Sequence, residues 1–253
     1  MATPIVMVHG AFCGGWVFER FREPFEAAGH AVLTPDLPGH APNAGPAVAN
    51  RTMADYAGFV AETCAACPEP PILIGHSMGG LVAQLAAART PVSALVLLAP
   101  SPPWGVSGAT MEEAVSAVSL YALGPYWMQA VDPDYALAKL YSLDRMDGDA
   151  RKAVFERMVP ESGRALWQTL NWWLDPFMST MVLPAAIGAP VLALAGGRDV
   201  IHPPATVKQT AARLSADFRV FPEMSHWLPG EPGWEEVARA CLEWLPARKR
   251  KAA

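Results

Sequence analysis

The stretch Pro71-Ile-Leu-Ile-Gly-His-Ser-Met-Gly-Gly-Leu-Val-Ala-Gln-Leu-Ala-Ala-Ala-Arg89 decides the fold. Pro71–Ile74 is a short apolar run of the kind that forms a buried strand, and Met78–Arg89 carries a helical pattern. Between them, Gly75-His-Ser-Met-Gly79 places a serine on a strand-to-helix turn with a glycine two residues to either side. A turn this tight strains the backbone at the serine, and larger side chains at Gly75 and Gly79 would collide with the neighbouring strand and helix. The Ser77 hydroxyl then stands clear of the sheet at a helix N-terminus, whose field favours developing negative charge. His76 is read as a packing residue, because its side chain follows the strand.

Working outward, similar apolar runs recur at Ile5–Val8, Ala31–Thr34, Ala94–Ala99, Val191–Ala195 and Phe218–Phe221. Continuous Val, Ile and Leu suit strands buried on both faces, as in a parallel sheet covered by helices. Helical patterns fall between them at Trp16–Ala28, Thr52–Cys67, Met78–Arg89, Pro204–Leu214 and Gly233–Leu245, with Thr52 as a candidate N-cap, Gly29 after one helix end and Pro246 as a stop. The alternation predicts an α/β fold with a mostly parallel sheet of about six strands. Residues 101–187 break the rhythm with helical patterns and many aromatic residues but no buried strand. They are read as a helical cap inserted into a core formed by 1–100 and 188–253. Trp104, Trp127 and Trp172, with Phe12 and Trp227 from the core, are the candidate substrate-binding aromatics. The cap aromatics serve equally as a face for a second copy of the chain, so a homodimer is a possible partner state.

A serine hydroxyl is a weak nucleophile near neutral pH and needs a base, and that base needs an acid to hold it in the right tautomer. Asp199 lies in Gly196-Gly-Arg-Asp199, just after Val191–Ala195, and His226 lies in Pro222-Glu-Met-Ser-His226, just after Phe218–Phe221. Ligands of open α/β sheets bind outside the carboxyl ends of the strands, so Ser77, Asp199 and His226 are expected to converge there as the catalytic residues. His202, His9, His30 and His40 are rival bases, but only His226 follows the last strand. Glu223 and Asp217 flank that strand as rival acids. His9-Gly-Ala-Phe-Cys-Gly-Gly-Trp16 follows the first strand, and the backbone N–H groups of Ala11 and Met78 are the candidate oxyanion donors.

Bulk properties remove other classes. Of the 253 residues, 52% are hydrophobic and 17% charged, which argues for a buried core and against disorder. A formal charge of -5 offers no basic surface for nucleic acid; the run Arg248-Lys-Arg-Lys251 reads as a solvated tail. No apolar run is long enough to span a bilayer and no export signal is visible at Met1, so no membrane partner and a cytoplasmic location are expected. Four cysteines, at positions 13, 64, 67 and 241, are too few for a disulfide framework, and Cys64-Ala-Ala-Cys67 lacks a second pair for a metal.

Taken together, His9-Gly-Ala with Gly14-Gly-Trp16, Ala27-Ala-Gly-His-Ala-Val-Leu-Thr-Pro-Asp-Leu37, Gly75-His-Ser-Met-Gly-Gly80, Gly197-Arg-Asp199 and Ser225-His226 resemble the α/β-hydrolase superfamily. Within it they look most like the capped group of plant methyl esterases, hydroxynitrile lyases and related bacterial esterases. The resemblance implies an α/β-hydrolase fold without the two N-terminal strands of larger relatives. It also implies a triad of Ser77, Asp199 and His226, oxyanion donors at Ala11 and Met78, and no metal or organic cofactor. Gly10 stands where hydroxynitrile lyases have threonine, and Pro222–Glu235 lacks their lysine, which speaks against cyanohydrin cleavage. A serine at position 77 likewise departs from the aspartate of dehalogenases and epoxide hydrolases. The expected activity is hydrolysis of a small, apolar carboxylic ester, lactone or thioester through an acyl-Ser77 intermediate. Perhydrolysis or carbon–carbon cleavage on the same triad, or a ligand receptor with vestigial activity, are the alternatives.

Overall fold

A computed structural model describes residues 2–41, 45–111, 115, 118, 121 and 124–251. Strands β1 (Ile5–Val8), β2 (Val32–Leu33), β3 (Ile72–His76), β4 (Ala94–Leu98), β7 (Val191–Gly196) and β8 (Asp217–Phe221) form one sheet in the order β2-β1-β3-β4-β7-β8. Every pairing in it is parallel. The central strands β1, β3, β4 and β7 are buried along their whole length, which is why their sequences are unbroken apolar runs. Edge strand β8 alternates exposed and partly buried residues instead.

One face of the sheet packs under α1 (Glu23–Ala27) and α8 (Trp234–Lys251), around Phe18, Phe21, Phe25 and Val237. The other packs under α2 (Met53–Ala65), α3 (Met78–Ala87) and α7 (Pro204–Arg213), around Tyr56, Leu81, Val82 and Val207. Thr52 caps α2 through a reciprocal box with Asp55. The chain leaves β1 to one side for β2 and crosses back for β3, so β1 and β3 flank a switch point whose carboxyl edge opens a crevice.

Three sequence expectations are corrected. The predicted helix Trp16–Ala28 is a 3-10 turn, Gly15–Phe18, followed by the short α1, in whose first turn Pro24 sits, where its missing N–H costs no intrahelical bond. Pro246 does not stop α8, which runs to Lys251; a proline removes one donor, and the residues beyond it keep theirs. Between β4 and β7 the chain is not purely helical. Alongside α4 (Tyr135–Leu137, continuing as a wider turn over Ala138–Ser142), α5 (Gly148–Phe155) and α6 (Gly163–Leu170), it forms a two-stranded antiparallel ribbon of β5 (Ala130–Val131) and β6 (Glu161–Ser162). Among the described residues no helix is long and apolar enough to cross a membrane.

Candidate active site

Ser77 sits between β3 and α3 at φ +54°, ψ −125°, a conformation that L side chains rarely adopt. The surrounding packing enforces it. A Cβ on Gly75 would stand 2.4 Å from the Gly79 carbonyl oxygen, and one on Gly79 would stand 2.2 Å from the His9 carbonyl oxygen. The serine backbone is further pinned by Ser77 N–H to Leu98 O at 3.0 Å and Ser101 N–H to Ser77 O at 2.9 Å. Gly79→Ala is therefore expected to cost about 3 kcal/mol of stability, at the upper end of ordinary overpacking. Urea denaturation with a midpoint unchanged from wild type would contradict this.

Strands β7 and β8 deliver the other two groups. Asp199 follows β7 and His226 follows β8, and a Cβ on Gly196 would meet the Ser225 carbonyl oxygen at 1.9 Å, so that glycine lets the two loops touch. His226 Nδ1 lies 2.9 Å from Asp199 Oδ2, and His226 Nε2 lies 2.9 Å from Ser77 Oγ. All three side chains are buried. Burial pushes the Asp199 carboxyl up, but the His226 imidazole and the backbone donors outweigh it and hold the group below its usual range. Its second oxygen accepts from the N–H groups of Ile201 (2.8 Å) and His202 (2.9 Å). An ionised Asp199 fixes the proton of His226 on Nδ1, which leaves Nε2 free to accept from the Ser77 hydroxyl.

The rival histidines have other partners. His9 Nε2 accepts from Leu37 N–H and its Nδ1 donates to Gly10 O, tying the first loop to the chain after β2. His76 donates to the carbonyl of His226 at 2.8 Å, and His202 lies beside the His226 ring with Nε2 2.9 Å from Ser101 Oγ. Burial, followed by the neighbouring His226, lowers both His76 and His202 to about 3. His30 bonds Thr3 O, far from Ser77 in sequence and on the other end of β1. Glu223 pairs with Arg198 on the surface.

A cavity of about 540 Å³ opens over Ser77. Ala11 and Met78 line it, and among the described residues neither backbone N–H is taken by a protein acceptor. Phe12 and Trp227 line it as expected from sequence. Trp104, Trp127 and Trp172 do not, which corrects that expectation: Trp104 packs edge-on against Trp172, and Trp127 against Tyr121 and Tyr126, all outside the cavity wall. The wall is instead built largely from Val131, Leu137, Tyr141, Met158, Leu166 and Leu170. These residues, aliphatic but for Tyr141 and Met158, carry no sequence signal that separates a pocket wall from a small core.

Residues 5–240 match the sequence profile of the alpha/beta hydrolase family. The chain belongs to that family. A pimeloyl-[acyl-carrier protein] methyl ester esterase of Chromobacterium violaceum is 33% identical over 95% of this chain and 93% of its own length. A carbendazim hydrolyzing esterase of Nocardioides is 29% identical over 93% and 90% of the two chains. Among solved structures, a methylesterase of Arabidopsis superposes with a TM-score of 0.72 over 97% of this chain and 99% of its own, at 17% identity, a likeness of fold alone. The polar groups described here gather at the carboxyl edge of the parallel sheet.

Proposed function

We propose that this alpha/beta hydrolase is a carboxylic ester hydrolase that works through an acyl-enzyme on Ser77. The continuous hydrogen-bonded relay Asp199–His226–Ser77, opening into the cavity, carries the reading. His226 Nε2 takes the Ser77 proton as Oγ attacks the ester carbonyl. The tetrahedral oxyanion is received by the N–H groups of Ala11 and Met78, the latter at the first residue of α3 where the helix field adds to it. Collapse breaks the carbon–oxygen bond to the alcohol, which leaves with the proton held by His226. Water then enters, His226 removes its proton, and a second collapse frees the acid and restores Ser77. Asp199 orients the imidazole and stabilises its cation throughout. The residues present supply each step without a metal or organic cofactor.

The esterase names of the two full-length relatives support the reaction class. The aliphatic wall of Val131, Leu137, Leu166 and Leu170 supports an apolar acyl or alcohol group, since burying such a group supplies about 25 cal/mol per Å². Residues 101–187, which contribute most of that wall, then act as the cap over Ser77. A chain-length series of p-nitrophenyl esters tests the reading. Multiple turnover with a preference for acyl chains longer than acetyl is expected, and a folded enzyme indifferent to chain length would remove the apolar-pocket assignment.

A further inference from the structure

Glu161 is fully buried and has no part in the reaction just described, yet it collects four donors from four separate segments. Its Oε1 accepts from Tyr56 Oη at 2.8 Å and from Ser162 N–H at 2.7 Å. Its Oε2 accepts from His40 Nε2 at 2.8 Å and from the backbone N–H of Phe12 at 3.2 Å. His40 Nδ1 faces a second acceptor, Leu37 O, so both ring nitrogens meet oxygen and the imidazole is placed as a cation beside the carboxylate. Desolvating such a pair is expensive. An interior that needed only packing would be served by apolar residues of the same volume.

The bond to Phe12 is the informative one. Phe12 follows Ala11 directly and lies at φ +64°, in the left-handed region where a non-glycine residue is strained. Both of its backbone groups are held by the segment that ends in β6: its N–H by Glu161, and its carbonyl by Val159 N–H at 2.9 Å. The peptide plane between Ala11 and Phe12 is thereby fixed; the plane before it, which carries the Ala11 N–H, has its Gly10 carbonyl held by His9 Nδ1 at 2.8 Å, so Ala11, a residue lining the cavity, is tied on both sides. We propose that Glu161 is a positioning residue that holds the first loop in the conformation aiming the Ala11 N–H at the oxyanion. The inserted segment 101–187 thus completes the catalytic edge of the core as well as covering it. This rests on the reading of Ser77 as nucleophile and Ala11 as an oxyanion donor.

Glu161→Gln tests it. The amide keeps the shape of the carboxylate but accepts on one side only and carries no charge, so Phe12 N–H either loses its acceptor or keeps a neutral, weaker one, and the double variant below removes the acceptor in either orientation. A trifluoromethyl alkyl ketone, which adds to a catalytic serine as an oxyanion, reads the donor directly. Its Ki should rise about 30-fold in the variant and kcat should fall by a similar factor, with KM moving less than about threefold, since one misplaced donor acts on the transition state. Val60→Ala, a cavity in α2 away from the site, serves as a control for stability alone. A His40→Met/Glu161→Met double variant leaves no unpaired charge inside and replaces the single variant if that does not fold. Folded variants with wild-type Ki and kcat, or losses shared equally by Val60→Ala, overturn the proposal. Wild-type protein that neither turns over esters nor binds the ketone overturns the underlying reading instead.

Discussion

Ser77→Ala is expected to fold as wild type and to lose ester turnover by a factor of about 10⁴ to 10⁶, the range seen when members of a serine triad are removed. The substitution deletes one hydroxyl from a buried site and leaves the cavity, the helix N-terminus and the two backbone donors in place. Alanine is no worse than serine at φ +54°, so the strain at the turn is unchanged. What disappears is the atom that forms the acyl-enzyme. Residual hydrolysis can arise only from water attacking an ester polarised by the Ala11 and Met78 N–H groups. His226→Ala should cost nearly as much, and the double variant little more than either, because the relay acts as a unit. Steady-state rates with p-nitrophenyl esters and labelling by a fluorophosphonate measure both effects. A folded Ser77→Ala protein that keeps more than about 1% of wild-type turnover would remove Ser77 from the mechanism.

How much of this was legible in the sequence depends on whether the signal is local. The central strands were legible because burial on both faces demands unbroken runs such as Ile5–Val8 and Val191–Ala195. The turn at Ser77 was legible because Gly75 and Gly79 are required by contacts within a few residues of it and with His9. Asp199 and His226 could be ranked above their rivals from their positions after the last two strands, since a parallel sheet puts all strand ends on one edge. The signal for the short α1 is Pro24, a first-turn residue, but the wider apolar pattern around it masks the break. The cavity wall was not legible. Counting aromatic residues favoured Trp104, Trp127 and Trp172, whereas the inward positions are set by how 101–187 folds back over β1 and β3. Glu161 was equally hidden, because its partners His40 and Tyr56 lie more than a hundred residues away and no linear pattern distinguishes a buried glutamate from a solvated one.

The histidines that escape catalysis should make the protein unstable in mild acid. Burial, followed by the neighbouring histidine in each case, lowers His9, His76 and His202 to about 3. In the unfolded chain each protonates near 6.5, so as pH falls below that value the unfolded state takes up three protons that the folded state refuses. Glu231 acts in the opposite sense. Its carboxyl is raised to about 7 by burial, against the opposing bond from Ser225 N–H, so the folded state takes up one proton before the unfolded chain does. His40, raised because Glu161 outweighs its burial, is protonated in both states below 6.5 and adds no slope there; its contribution is lost only as pH climbs through its folded value. Two protons net favour unfolding between pH 6.5 and 4.5, a slope of about 3 kcal/mol per pH unit. Across that window the loss rivals the whole stability of a typical domain. Below it, Asp199 adds to the loss, since its carboxyl is held lower folded than unfolded. Urea denaturation from pH 7.5 to 4.5 should therefore show stability greatest near about pH 6.5 to 7 and falling steeply on the acid side. His9→Asn, whose amide can replace Nδ1 as the donor to Gly10 O without titrating but leaves Leu37 N–H without its acceptor, should lower stability at every pH and halve the slope by reducing the net uptake to one proton. A flat profile between pH 6.5 and 4.5 would mean that the buried imidazoles are hydrated or already charged in the folded protein.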